Sequence, residues 1–201
     1  MRNFKVCGLM IGLGMSLMLS ACGAKSEPAS IEDQTSSVST EATTEADTGM
    51  SREDIASEIE RLVNSDIPSI SEERDKAVEI YNAYFLPDSQ IDSEAWLKQL
   101  EETAITSYDS YLQKLGDFTY ESPEAESLRN TFLTSSRYQR DAIMDVINGV
   151  RNMDSTCFDS ANEKLAQSKT YLSAFQDSLK TICNEYNIEI SSEASISTET
   201  Q

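Results

Sequence analysis

Thirty-five Asp and Glu residues stand against sixteen Lys and Arg, and His is absent, which narrows the chemistry this chain can carry. Without imidazole, the commonest general base and the commonest transition-metal ligand are both missing. The usual Ser and Cys triads are excluded. So is the carboxylate-bridged di-iron bundle, which needs Glu-x-x-His on two helices. Ser–Lys pairs remain, but a helical domain seldom supplies the oxyanion hole they require. No EF-hand spacing is present, so Asp154, Asp159 and Glu163 read as a solvated acidic face. The chain is therefore expected to be no enzyme and to hold no metal and no cofactor.

Other residue types suggest recognition. Arg129, Arg140 and Arg151 recur every 11 residues, with Arg137 beside them. Eleven residues close about three helical turns, so the three share a face. These four form a candidate anion- or partner-binding stripe, unless each is matched by carboxylates on neighbouring helices. Trp96, Tyr81, Tyr84, Tyr108 and Tyr111 are spaced for helix faces, either as core or as a platform for a sugar or peptide. Ser135, Ser136, Gln139 and Ser168 fall where apolar residues are called for. They either line a polar cavity between helices or mark a face at the bundle edge. Cys157 falls in the first turn of a helix, where the dipole lowers a thiol pKa. Asp154 opposes that shift, and the plainer reading is a small residue near a turn.

The start of the chain has an address. Arg2 and Lys5 precede an uncharged apolar run over 6–19. A permanent membrane helix needs roughly 20 apolar residues, so the run is too short. Basic start, apolar middle and small residues at the end are the parts of a secretory signal. Its end, Leu19-Ser20-Ala21-Cys22, resembles the lipobox of bacterial prolipoproteins. The resemblance implies a diacylglyceryl group on the sulfur of Cys22, cleavage of residues 1–21, and attachment to the outer face of the cell membrane. Two acyl chains suffice for stable anchoring. Loss of Arg2 and Lys5 leaves 14 basic and 35 acidic residues, a net charge of −21. Such a surface repels nucleic acid and anionic headgroups.

Residues 22–50 comprise the lipidated Cys and a stretch dominated by Ser, Thr, Glu and Ala, too poor in apolar residues to offset the entropy of ordering. They read as a disordered tether, and 189–201 as a disordered tail. The domain between, 51–188, shows no strand alternation and strong helix signals. Ser51-x-x-Asp54 resembles a capping box, ahead of Ile55, Ile59 and Leu62 on one face. Pro68 should interrupt this helix, and Ser69-x-x-Glu72 should open a second with Ala77, Tyr81 and Tyr84 inward, ended by Leu86-Pro87. Asp92 can cap a third helix carrying Leu97, Leu100, Ala104, Tyr108, Tyr111 and Leu115, closed by Gly116. Ser122-Pro123 starts a fourth, which runs to about Asn152 with Leu128, Phe132, Ile143, Val146 and Val150 inward. After a turn at Asn152-Met153-Asp154, Asp154 can cap a fifth. Its seam, from Phe158 and Ala161 through Leu165, Ser168, Leu172, Phe175 and Leu179 to Ile182 and Tyr186, advances in threes and fours.

Short connections make sequential helices antiparallel. The fold class expected is all-α: an up-and-down antiparallel bundle of three long helices plus a Pro-broken first helix. Cys157 and Cys183, 26 residues apart on one helix, would lie about 39 Å apart, too far for a disulfide. Residues of about 120–188, with Ala161-Asn162-Glu163-Lys164-Leu165 after an acidic turn, are similar to a group of uncharacterised helical lipoproteins of Gram-positive bacteria. That resemblance implies fold and location and nothing about activity. The function expected is a membrane-anchored, non-catalytic binding or interaction module of the cell envelope. Its partner would be an envelope protein or a small ligand, with no nucleic acid. The alternatives are an accessory subunit of an envelope transporter or sensor, and a cell-surface hydrolase.

Overall fold

The computed structural model describes residues 49–84 and 91–188. The expectations for the signal segment, Cys22, the tether before Gly49, Leu86-Pro87 and the tail fall outside these residues.

Capping sets the helix starts. The Ser51 side chain accepts from the Asp54 N–H and starts α1 (Arg52–Arg61). Asp92 accepts from Glu94 and Ala95 and starts α4 (Ser93–Gln99). Ser122 accepts from Ala125, with Pro123 in the first turn, and starts α6 (Pro123–Asn152). Asp154 accepts from the backbone and hydroxyl of Thr156 at 3.0 and 2.8 Å, one residue before Ser155, where α7 (Thr156–Tyr186) begins. The turn joining α6 and α7 falls where the sequence puts it. Met153 there takes the left-handed conformation at φ 54°, and the Asp154 N–H returns to the Gly149 carbonyl at 3.0 Å.

Four expectations change in detail. Pro68 does not stop its helix. A π-helical turn over Leu62–Asp66 leads into α2 (Ile67–Ser69), and the break comes at Ile70, with φ −115° and ψ 2°, before α3 (Ser71–Ala83). Ser69 does not cap α3; its hydroxyl turns back to the Asp66 carbonyl at 2.7 Å. Gly116 does not close the third helix. After a second π-helical turn, Leu100–Ala104, α5 runs Ile105–Asp117 with Gly116 inside it, and Phe118 is the extended cap. Trp96, 1% exposed, takes the inward place expected of the half-buried Leu97.

Cross-helix contacts give the directions. Ser135 meets Ser168, Asp145 meets Ser160, and Glu124 meets Tyr186, so α6 and α7 are antiparallel. Tyr111 meets Ser136 and Arg151 meets Glu101, so α5 runs against α6. Lys114 pairs with Glu73, while the Trp96 indole N–H donates to the Ile80 carbonyl at 2.9 Å, so α3 runs against the helix of α4 and α5. The result is an antiparallel all-α bundle, with no strand among the described residues. Its core joins Ile59, Leu62, Tyr81, Leu100, Leu115, Ile143, Phe175 and Leu179. α1 spans the end where α6 begins and α7 ends: Arg52 donates to the Glu185 carbonyl, Arg61 to that of Thr119 at 2.8 Å, and Glu58 accepts from the Glu121 and Ser122 N–H groups at 2.9 and 2.7 Å. Helix α7 is unbroken between Cys157 and Cys183, which holds the two thiols about 39 Å apart along its axis.

Candidate functional site

The polar residues in the seam of α6 and α7 are not an exposed edge of the bundle. Ser135, Ser136, Gln139 and Ser168 are all buried, at 4% exposure or less, and are bonded to protein. The Ser135 hydroxyl donates to the Ser168 carbonyl at 2.8 Å, and that of Ser136 to the Phe132 carbonyl at 3.0 Å. The Gln139 side-chain oxygen accepts from the Tyr108 hydroxyl and from Arg74 Nε, the latter at 3.2 Å. Arg74 also pairs with Asp75 at 3.2 Å, and its side chain is only 11% exposed. Sequence reasoning missed Arg74. The signal was present: with Ile70, Ala77 and Tyr81 it steps by four, three and four along the inward stripe of α3. Burial opposes the charge on Arg74, but the Tyr108 and Tyr111 oxygens and Asp75 outweigh it and hold the guanidinium more firmly protonated than usual. Burial in turn pushes the Tyr108 and Tyr111 phenols up. These groups join three helices.

The aromatic residues are core rather than platform. Trp96, Tyr81, Tyr108 and Tyr111 are all at most 1% exposed. The half-buried Tyr84 stacks on Trp96 with centroids 4.5 Å apart, and Tyr108 meets Tyr111 edge-on at 5.5 Å.

Three of the four arginines are matched within the chain. Arg129 is turned inward, 9% exposed, against Glu126 and the Gly116 carbonyl. Arg140 makes a two-pronged contact with Asp109 at 2.9 and 3.3 Å and touches Asp141 at 3.3 Å. Arg151 pairs with Glu101. Arg137 is exposed, and no carboxylate among the described residues pairs with it. The three matched arginines thus brace α6 against its neighbours and its own carboxylates, and the stripe presents little free positive charge.

The Cys157 thiol is pushed up rather than activated, by burial first and then by Asp154 and Asp145. The helix end nearby is crowded: a Cβ on Gly149 would lie 3.1 Å from the Asp154 carbonyl oxygen, Cys157 Cβ and the Phe158 ring. Asp159 and Glu163 are exposed, as a solvated face requires. Among the described residues no three carboxylates or thiols are grouped as a metal site.

A groove that the sequence did not suggest runs along the other side of α6. It is shallow and open, and its lining includes Glu126, Asn130, Thr131 and Thr134 on one side and the Tyr171 ring of α7 on the other. Tyr171 stacks on Tyr138, with centroids 5.6 Å apart and planes at 18°. Asn130 donates to Glu126 Oε1 at 3.4 Å, while Glu126 Oε2 has no hydrogen-bond partner among the described residues.

Comparison of the chain with protein-family models, curated proteins and solved structures returns no match. No described helix is long and apolar enough to cross a membrane.

Proposed function

We propose that this chain is a bacterial lipoprotein, held at the outer face of the cell membrane through lipid on Cys22, whose bundle is a non-catalytic binding module of the envelope. The observation that carries the reading is Leu19-Ser20-Ala21-Cys22 at the end of an uncharged apolar run behind Arg2 and Lys5. The bundle fits a module that recognises rather than reacts. Its carboxylates near other chain groups are engaged in caps and ion pairs, such as Asp92 at the start of α4 and Asp109 on Arg140. Cys157, in the first turn of α7, has its thiol pushed toward the unreactive form.

Replacing Cys22 with Ala tests this directly. In cells fed an alkyne analogue of palmitate, the native chain should take up label and partition with membranes. The Cys22→Ala chain should take up none and should appear in the medium or as uncleaved precursor. If the variant is cleaved and still resists extraction by salt, lipid on Cys22 is not what holds the protein.

A further inference from the structure

The two thiols of the bundle are too far apart to join, but two of its phenols are placed to do so. All eight tyrosines lie among the described residues. Tyr81, Tyr108 and Tyr111 are sealed in the core at 1% exposure or less. Tyr84 stacks on Trp96, and the Tyr120 and Tyr186 hydroxyls donate to Asp66 and Glu124 at 2.7 and 3.3 Å. The remaining two are stacked on one another. Tyr138 on α6 and Tyr171 on α7 hold their ring centroids 5.6 Å apart with planes at 18°. Both are half-buried, and neither hydroxyl has a hydrogen-bond partner among the described residues.

A phenol that gives up one electron and its hydroxyl proton becomes a phenoxyl radical, with spin on the oxygen and on the two ring carbons ortho to it. Two such radicals held side by side couple through one ortho carbon of each. A carbon–carbon bond forms, and the hydrogen on each joined carbon passes as a proton to its own oxygen, restoring both hydroxyls. The pair has then lost two hydrogen atoms in all, which one molecule of hydrogen peroxide takes up as two of water. A half-exposed ring flips about its Cβ–Cγ bond, so each tyrosine presents both ortho carbons to its partner in turn. The other close pair of tyrosines does not meet these conditions: Tyr108 and Tyr111 are edge-on at 86°, shut away from any oxidant, and bonded through their hydroxyls to Gln139 and Ser136. We propose that Tyr138 and Tyr171 are a site of oxidative coupling, at which hydrogen peroxide activated by a haem peroxidase joins α6 to α7 through a dityrosine bond. That bond ties together residues 33 apart in the chain, in a hairpin that Cys157 and Cys183 cannot close. The coupling depends on the fold and not on lipid at Cys22, so failure to couple leaves the anchored module standing.

The purified full chain, kept dilute and treated with hydrogen peroxide and a haem peroxidase, provides the test. The monomer is expected to gain dityrosine fluorescence. Tandem mass spectrometry of its digest should find the Tyr138 and Tyr171 peptides joined, with the loss of two hydrogen atoms. Tyr171→Phe keeps a ring to stack but has no phenol, so it should lose the monomer fluorescence with its circular dichroism spectrum unchanged, and Tyr138→Phe should do the same. Tyr84→Phe should couple as the native chain does. No dityrosine in the monomer, coupling between chains only, a joined pair other than Tyr138 and Tyr171, or undiminished fluorescence in either folded variant of the pair overturns the inference.

Discussion

Gln139 shows how one side chain can fix three helices. A single amide oxygen on α6 accepts from Tyr108 on α5 and from Arg74 on α3. Replacing Gln139 with Leu keeps the volume close and removes the acceptor. The Tyr108 hydroxyl and the mostly buried guanidinium would then have to lose their bonds or admit water. A loss of roughly 2–4 kcal/mol is expected, because one of the orphaned donors is charged. Urea denaturation followed by circular dichroism measures it, and an unchanged midpoint would show that the network does not hold the helices together. The sequence marks Gln139, Ser135, Ser136 and Ser168 as exceptions to an apolar seam, but it does not say what satisfies them. Their partners on other helices lie 25 to 65 residues away along the chain, and no local pattern reports a contact of that kind. The groove at Tyr171 was illegible for a related reason: Thr, Asn and Ser on an exposed helical face look like ordinary solvated surface until α7 puts Tyr171 beside them.

At the scale of the element, helix existence and the α6–α7 turn were legible because they depend on local chemistry. Ser51, Asp92 and Ser122 cap where they stand, and the step pattern of α7 persists from Ala161 to Leu179. The π-helical turns were not legible as such, although their cause can be found in the spacing. Trp96, Leu100, Ala104 and Tyr108 are buried at three successive steps of four. In a regular α-helix each such step rotates the next residue about 40° away from the last. The wider turn at Leu100–Ala104 absorbs that drift and keeps all four facing inward. The turn at Leu62–Asp66 precedes Pro68, whose ring would clash with the carbonyl four residues back in a regular helix. The local re-winding therefore lets the chain stay helical for two residues where the sequence predicts an interruption. Gly149 gives an element-scale test. In an exposed helix, Gly→Ala stabilises by about 1 kcal/mol. Here the added Cβ would press on the carbonyl of the turn and on two side chains of α7, so Gly149→Ala should reverse the sign and destabilise by about 1 kcal/mol. A rise in the thermal midpoint would mean that the α6–α7 turn gives way more readily than this packing implies.

For the molecule as a whole, an excess of negative charge has to coexist with a folded bundle, and the way its end is closed ties stability to pH. α1 is held across that end by its buried Ile55 and Ile59 and also by polar groups: Arg52 and Arg61 on backbone carbonyls and tyrosine rings, and Glu58 on the first N–H groups ahead of α6. Burial opposes ionisation of Glu58, yet the bonds from Glu121 and Ser122, with Arg61 nearby, outweigh it and hold the carboxyl below its ordinary range. Glu73 is held low as well, chiefly by Lys114 on α5. A carboxylate depressed in the folded state binds its proton more readily after unfolding. Its contribution is therefore present above the unfolded pKa, near 4.5, and is lost as pH falls through the lower folded value. Stability should hold across neutral pH and decline below about pH 4.5, with the contacts of α1 among those weakened. Glu58→Gln isolates this group, because Gln retains an acceptor oxygen but cannot titrate. The variant should be less stable than the native chain at pH 7, and the gap should close as pH falls through the acid range. Exposed Glu60→Gln, one position along the same helix from the buried Ile59, serves as the control. Urea midpoints at pH 7, 5 and 3 for the three proteins provide the measurement. A Glu58→Gln gap that stays constant with pH would show that the carboxylate closes the bundle by shape alone, with its charge contributing nothing.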